Sequence, residues 1–347
     1  MPEVCAEKEF SNTHNNCYSF TTLGIFPSNV NALRMKTEVS MANFRHGIVR
    51  DLAWLARSPD IMTLPESLCA DWLFDINNLQ QHLESLDSHP ESVISQLRQQ
   101  ACYRLGYYFE DLVKIYLKQF IQPTEIKTNI QVFKDKTTVG EYDFLIRLNN
   151  GKKVHLETAV KFYLCTDTRA QDLSHFIGPN RSDQLSRKWQ RLNEHQLQLS
   201  STLAGSRQAE KLDLFPDVHS LLLKGYLFYP YAEWQDANNW IEPISPQHAR
   251  GWWLPLKAAQ ELPANQNFRY GILMKPQWLA PARMCFQDSL SRHELLTNID
   301  DLSSPLLIAQ LNEHPEHGWQ EVSRGFIVPD DWHQKAETPL HKSCVTN

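Results

Sequence analysis

From Arg45 onward apolar residues return at helical spacing, with Ile48, Val49, Leu52 and Leu55 on one side of a helix that Ser58-Pro59-Asp60 ends. A second helical stretch, about Trp72 to Leu86, runs into Ser88-His89-Pro90. Proline suits the first turn of a long helix predicted from Glu91 to about Phe120, with the stripe Val93, Leu97, Ala101, Leu105, Tyr108, Leu112 and Ile115. After Pro123 the period drops to two. Alternation predicts strands over Ile126 to Lys134, Thr138 to Leu148 and Lys153 to Leu164, the last two joined by the hairpin signal Asn149-Asn150-Gly151. Gly178-Pro179-Asn180 leads to a helix of about Ser182 to Leu203, with Leu185, Trp189, Leu192, Gln196 and Leu199 along one side. A strand, Ser220 to Tyr229, precedes Pro230.

The order α-β-β-β-α-β indicates an α/β fold with a mixed (α+β) sheet. Helices are expected to fill residues 41–100, and the α-β-β-β-α-β core to span 101–235. A β-rich extension packed on that core is expected over 236–332, from the apolar segments 251–256, 268–273, 305–311 and 325–328. Residues 1–40, rich in Asn, Ser and Thr without a period, are expected to be disordered, and 333–347 to form a loose tail.

A chain of 347 residues with 42% apolar content can bury a large core, which excludes global disorder. No apolar run reaches the roughly 18 residues of a membrane helix, and the N-terminus lacks a basic-then-apolar leader, so a cytoplasmic protein without membrane association is expected. The seven cysteines are scattered and never form C-x-x-C, which argues against a disulfide framework or structural zinc. Net charge is -6, against a broad cationic surface. Yet residues 101–200 hold 15 Lys and Arg against 11 Asp and Glu, so the basic share lies where the candidate chemistry lies.

Side chains two apart in a strand share a face, so Glu141 and Asp143 point one way on the second strand. On the third, His155, Glu157, Ala159 and Lys161 share a face opposite Val154, Leu156, Thr158, Val160 and Phe162. A hairpin sets Asp143 beside Glu157. Two carboxylates and an ammonium on adjacent strands are the groups that metal-assisted phosphodiester hydrolysis uses: oxygen ligands for Mg²⁺ or Mn²⁺, and a cation for the nucleophile or the developing charge. The same residues also fit a solvated hairpin face with a weak Lys–Glu pair.

The element order, an acid in the first core helix, Gly140-Glu141-Tyr142-Asp143-Phe144 and the Glu-to-Lys strand resemble the PD-(D/E)XK nuclease superfamily, with its restriction-endonuclease-like core. More narrowly, Val49-Arg50-Asp51-Leu52-Ala53-Trp54-Leu55, His155-Leu156-Glu157-Thr158-Ala159-Val160-Lys161-Phe162-Tyr163, Gly178-Pro179-Asn180-Arg181 and Arg324-Gly325-Phe326-Ile327-Val328 look like the bacterial family called domain of unknown function 1853. The superfamily resemblance implies a nuclease in which Asp143, Glu157 and the helix-borne Glu110 bind Mg²⁺ or Mn²⁺ and Lys161 is the catalytic lysine. It implies Lys188 and Gln196, with Arg181 beside them, as contacts to a nucleic-acid phosphate. One position departs from the pattern: Ala159 stands two residues before the lysine, where an acid is expected, and Glu157 lies one pleat back. The alternative reading is therefore an inactive nuclease-fold module that binds nucleic acid or protein.

Overall fold

Helix α1 (Gly47–Arg57) buries Ile48, Val49, Leu52 and Leu55, the stripe its spacing predicts. The computed structural model describes residues 44–98, 104–236 and 240–337. The expected disorder of residues 1–40, the helix position assigned to Ala101 and the end of the expected tail lie outside the described residues. Helix α2 (Leu79–Ser88) starts later than the pattern predicts, because Asp71–Leu73 form a single 3-10 turn.

The expected long helix over 91–120 is broken into α3 (Glu91–Ile94) and α4 (Leu105–Tyr116), the latter closing in a π turn, Leu117–Ile121. Arg98 explains the break. Its backbone N–H donates to Asp111 Oδ2 at 3.0 Å, and its guanidinium pairs with Asp111 at 2.9 Å and Glu110 at 3.1 Å. An unbroken helix would hold these positions about 18 to 20 Å apart.

Strands β1 (Glu125–Lys134), β2 (Thr137–Arg147) and β3 (Lys153–Cys165) then form within a residue or so of the alternating runs. A short β4 (Phe176–Ile177) pairs with the end of β3. The helix expected over 182–203 is composite: α5 (Leu185–Arg191), a π turn (Leu192–Gln196), a 3-10 turn (Leu199–Ser201), and α6 (Leu203–Lys211). Thr202 begins α6 anew by accepting the N–H of Gly205 with its side chain, an N-cap that stops the preceding segment from running on. The remaining elements are β5 (Val218–Pro230), β6 (Ala249–Pro255), β7 (Phe268–Ile272), β8 (Arg283–Met284), α7 (Arg292–Asn298), β9 (Leu306–His314), β10 (Gly318–Val328) and α8 (Trp332–Glu337).

The result is a mixed α/β structure around one ten-stranded sheet, in the order β1-β2-β3-β5-β6-β10-β9-β7, with β8 beside β10. Its centre, β3, β5, β6 and β10, is parallel, and both flanks are antiparallel. The strands beyond residue 236 thus continue the core sheet by hydrogen bonding, which is closer than the packing expected of them.

Parallel central strands must be covered on both faces. α1 and α4 cover one face, where Trp54, Phe109 and Leu112 meet Leu156, Val160, Phe162 and Phe228. On the other, Leu185, Leu192 and Leu197 meet Ala159, Tyr163, Leu221 and Leu223. Gly225 lets β5 approach β3: its φ is +137°, and a Cβ there would lie 1.8 Å from the carbonyl oxygen of Lys161.

Candidate functional site

Strands β2 and β3 pair only from Phe144↔Leu156 to Arg147↔Lys153; beyond Leu156, β3 continues with β5 while β2 stays with β1. Tyr142 and Phe144, two residues apart, pack in different apolar clusters, Tyr142 edge-on to His155 at 4.7 Å. Asp143 sits at this change of direction. Its Oδ2 accepts the Thr158 backbone N–H at 2.9 Å and the Thr158 hydroxyl at 3.3 Å. The carboxylate thereby satisfies a backbone donor that the parting strands leave without a ladder partner.

Glu157 is fully buried. Its Oε1 lies 2.8 Å from His155 Nε2, and its Oε2 accepts from Gln196 Nε2 at 2.8 Å. Gln196 Oε1 in turn accepts from Lys188 Nζ at 3.0 Å. Helical spacing explains why Lys188 arrives here. It lies three residues after Leu185 and four before Leu192, both fully buried, whereas Arg187 and Arg191 are exposed. The π turn, closed by Leu197 N–H donating to Leu192 O at 2.9 Å, swings Gln196 onto Glu157.

The electrostatics result from this crowding. Burial raises the Asp143 carboxyl, and the charges of Glu157 and Glu110 raise it further, while the Thr158 N–H and Lys188 pull it down. Burial also raises Glu157, aided by Glu141 and opposed by Lys188, the Asp143 backbone and Gln196. Burial lowers His155 to about 4. The ring is therefore neutral, its Nε2 shares a hydrogen bond with Glu157, and its Nδ1 has no hydrogen-bond partner among the described residues.

The structure thus joins Glu157, Gln196 and Lys188 by hydrogen bonds, and brings Asp143 and Glu110 to them through charge. The Glu110 carboxylate is tied to Arg98 and accepts from Asn129 Nδ2 at 3.1 Å; the same amide donates to Glu141 at 3.2 Å. Lys161 does not touch the acids of the pattern: its Nζ lies 2.5 Å from Asp183 Oδ2. Arg181 lines a separate cavity of about 250 Å³ with Pro305 and Trp332. Asn129 and Asp183 carry no signal in the sequence, since the partner of each lies on a different element and is met only through the fold. Among the described residues, no group of three or more His, Cys, Asp or Glu forms a ready metal-ligand set.

A family model described as Domain of unknown function (DUF1853) matches residues 50–328. The chain belongs to this family. The match spans the sheet from the first helix to the last strand, so the parting of β2 and β3 lies inside the DUF1853 region. No curated protein and no solved structure matches the chain. No helix among the described residues is long and apolar enough to cross a membrane.

Proposed function

We propose that the site around Asp143 hydrolyses phosphodiesters with the help of a divalent cation, acting on DNA ahead of RNA. On this reading α4, β1, β2, β3, α5 and β5 are the restriction-endonuclease-like core of a PD-(D/E)XK protein. The observation that carries the reading is the pair Asp143 and Glu157, two carboxylates brought together in a buried setting with Glu110 and Glu141 close by. Grouped buried acids repel unless a proton or a cation sits among them, and an all-oxygen set suits Mg²⁺ or Mn²⁺.

Asp143 and Glu157 would supply two of the oxygen donors that such an ion takes. Asp143 Oδ1 carries no hydrogen bond among the described residues, while Oδ2 is anchored on Thr158. Glu157 is oriented by His155 and Gln196, the supporting contacts that a metal-binding carboxylate needs. Bound there, a divalent cation supplies Lewis acidity toward a phosphoryl oxygen. Asp143 and Glu157 hold it, and the neutral His155 keeps Glu157 in place without adding charge.

A second reading, a module that binds nucleic acid without cutting it, draws on Ala159 at the usual acid position and on Lys161 engaged by Asp183. A cleavage assay separates the two. The full chain is incubated with single- and double-stranded DNA and RNA in Mg²⁺ or Mn²⁺, beside Asp143→Asn. Metal-dependent cleavage lost in the variant supports hydrolysis, and binding without cleavage supports the second reading. Neither binding nor cleavage would remove both.

A further inference from the structure

We propose that a cavity of about 610 Å³ between α1, α3, α4 and the segment from β7 to β8 binds a small organic anion, an apolar body ending in a carboxylate or phosphate, through Arg50 and Arg283. None of the residues lining it belongs to the acid site, and the proposal does not rest on the phosphodiester reading.

Two guanidiniums reach this cavity with donors to spare. Arg50 is anchored through Nη1, which donates to the carbonyl oxygens of Phe44 at 3.0 Å and Arg45 at 2.8 Å. Arg283 is anchored through Nε, which donates to the His317 carbonyl oxygen at 2.9 Å. The N–H groups on Nε and Nη2 of Arg50, and on both Nη atoms of Arg283, donate to no described residue, and no described carboxylate pairs with either side chain. Burial lowers Arg50, its neighbour Asp51 raises it, and the charge of Arg283 lowers it again. Two cations held near each other by backbone carbonyls, with their forks free, are arranged to receive an oxyanion.

The carboxylates of the cavity are already engaged. Asp51 Oδ1 accepts the Ala280 N–H at 3.0 Å and its Oδ2 accepts the Tyr108 hydroxyl at 2.6 Å, while Asp288 Oδ2 lies 2.9 Å from Cys285 Sγ. The first turn of α1 opens on the same space with no side chain capping it. Ile48, Ile94, Leu97, Leu273 and Met284 line the rest, an apolar surface for the body of the ligand.

The wall formed by residues 278–282 is held in place by charged side chains that the acid site does not use. Buried Arg324 donates to the carbonyl oxygens of Trp278, Leu279 and Ala280, and its partner Glu321 accepts the Ala282 N–H at 2.7 Å. A buried Arg–Glu pair adds little stability over apolar packing; here it fixes the backbone of the cavity wall, with Asp51 pinning the same segment from the other side.

The test titrates naphthyl phosphate, naphthoate and the uncharged naphthalenemethanol, in EDTA, into the full chain and into Arg50→Met, Arg283→Met and Lys188→Met, by isothermal calorimetry. One molecule of anion is expected per chain, bound at least about tenfold tighter than the alcohol, the scale of a charge-assisted hydrogen bond. Each arginine variant should weaken anion binding by about tenfold or more and leave the alcohol unchanged, and Lys188→Met should bind as the wild type does. Arg283 lies on the two-residue β8, off the main order of the sheet, so Arg283→Met decides the matter should Arg50→Met lose its fold. Binding of one anion in preference to the other supports the site and names its head group. The proposal is overturned if neither anion binds, if the alcohol binds as tightly, or if Arg283→Met keeps full affinity. A loss in Lys188→Met alone would also overturn it, by placing the anion at the acid site.

Discussion

The Asp143 carboxylate accepts the Thr158 backbone N–H at 2.9 Å, where the strands carrying them part company. One side chain therefore does two things. It closes the backbone accounting of the sheet with one oxygen, and its charge is coupled to Glu157, Glu110 and Lys188.

Because the charge of Asp143 is raised in energy by burial and by Glu157, removing it should stabilise the protein when no metal is present. Asp143→Asn keeps a carbonyl oxygen for Thr158 and deletes the repulsion. In EDTA its melting temperature is expected to rise by about 2 to 4 °C, measured by calorimetry or circular dichroism. Adding Mn²⁺ should raise the wild type and leave the variant where it was. A variant that melts below the wild type in EDTA would mean that the anion is needed for the sheet itself.

Gly225→Ala tests how closely the sheet is built around Lys161. The new Cβ would meet the Lys161 carbonyl oxygen at 1.8 Å, on a backbone with φ of +137°. Both effects force β5 away from β3, and a loss of at least about 3 kcal/mol in urea unfolding is expected, from strain and broken pairing together. A stability within experimental error of wild type would show that the strands are not this close.

His248 should act to lower stability in mild acid, against the raised carboxyls of Asp143 and Glu157, whose protonation in the fold acts the other way. Its ring is buried, with Nδ1 2.6 Å from the Ser245 carbonyl oxygen and Nε2 2.9 Å from the Tyr229 hydroxyl, and burial lowers it to about 4. A folded value below the unfolded one of about 6.5 means that unfolding takes up a proton in between. The contribution is full above pH 6.5 and is lost as pH falls from there toward 4, amounting to about 3 kcal/mol at the acid end. His155 acts with the same sign. His248→Gln should remove this acid-side loss, so that its urea midpoint rises relative to wild type as pH falls through this window, and an identical profile would contradict the assignment.

Much of the local structure was legible in the sequence. Alternation located β1, β2 and β3 almost to the residue, and face parity put Glu157 and Ala159 on one face, which α5 covers in the structure, because strand periodicity is a property of neighbouring residues. The helices were less legible. Val93, Leu97 and Leu105 keep helical spacing across a break where Arg98 folds back onto Glu110 and Asp111, a long-range ion pair. The π turn before Gln196 likewise comes from packing on the sheet.

In the site, the acids Asp143 and Glu157 could be read from the strand pattern. The ties of Lys161 to Asp183 and of Glu110 to Arg98 could not, since they join segments that meet only in the fold. Of the candidates on the following helix and loop, Gln196 bonds Glu157 and Lys188 bonds Gln196, while Arg181 lines a separate cavity.

The central claim is that Asp143 and Glu157 share a divalent cation, and isothermal titration of Mn²⁺ into the full chain, Asp143→Asn and Glu157→Gln tests it without reference to any substrate. One ion is expected to bind the wild type, with release of protons at neutral pH because the raised carboxyls must ionise to hold it. Either variant should weaken binding by about 10-fold or more, the scale on which loss of even a supporting contact acts. Equal Mn²⁺ affinity in all three proteins, or no binding to the wild type, would contradict the account.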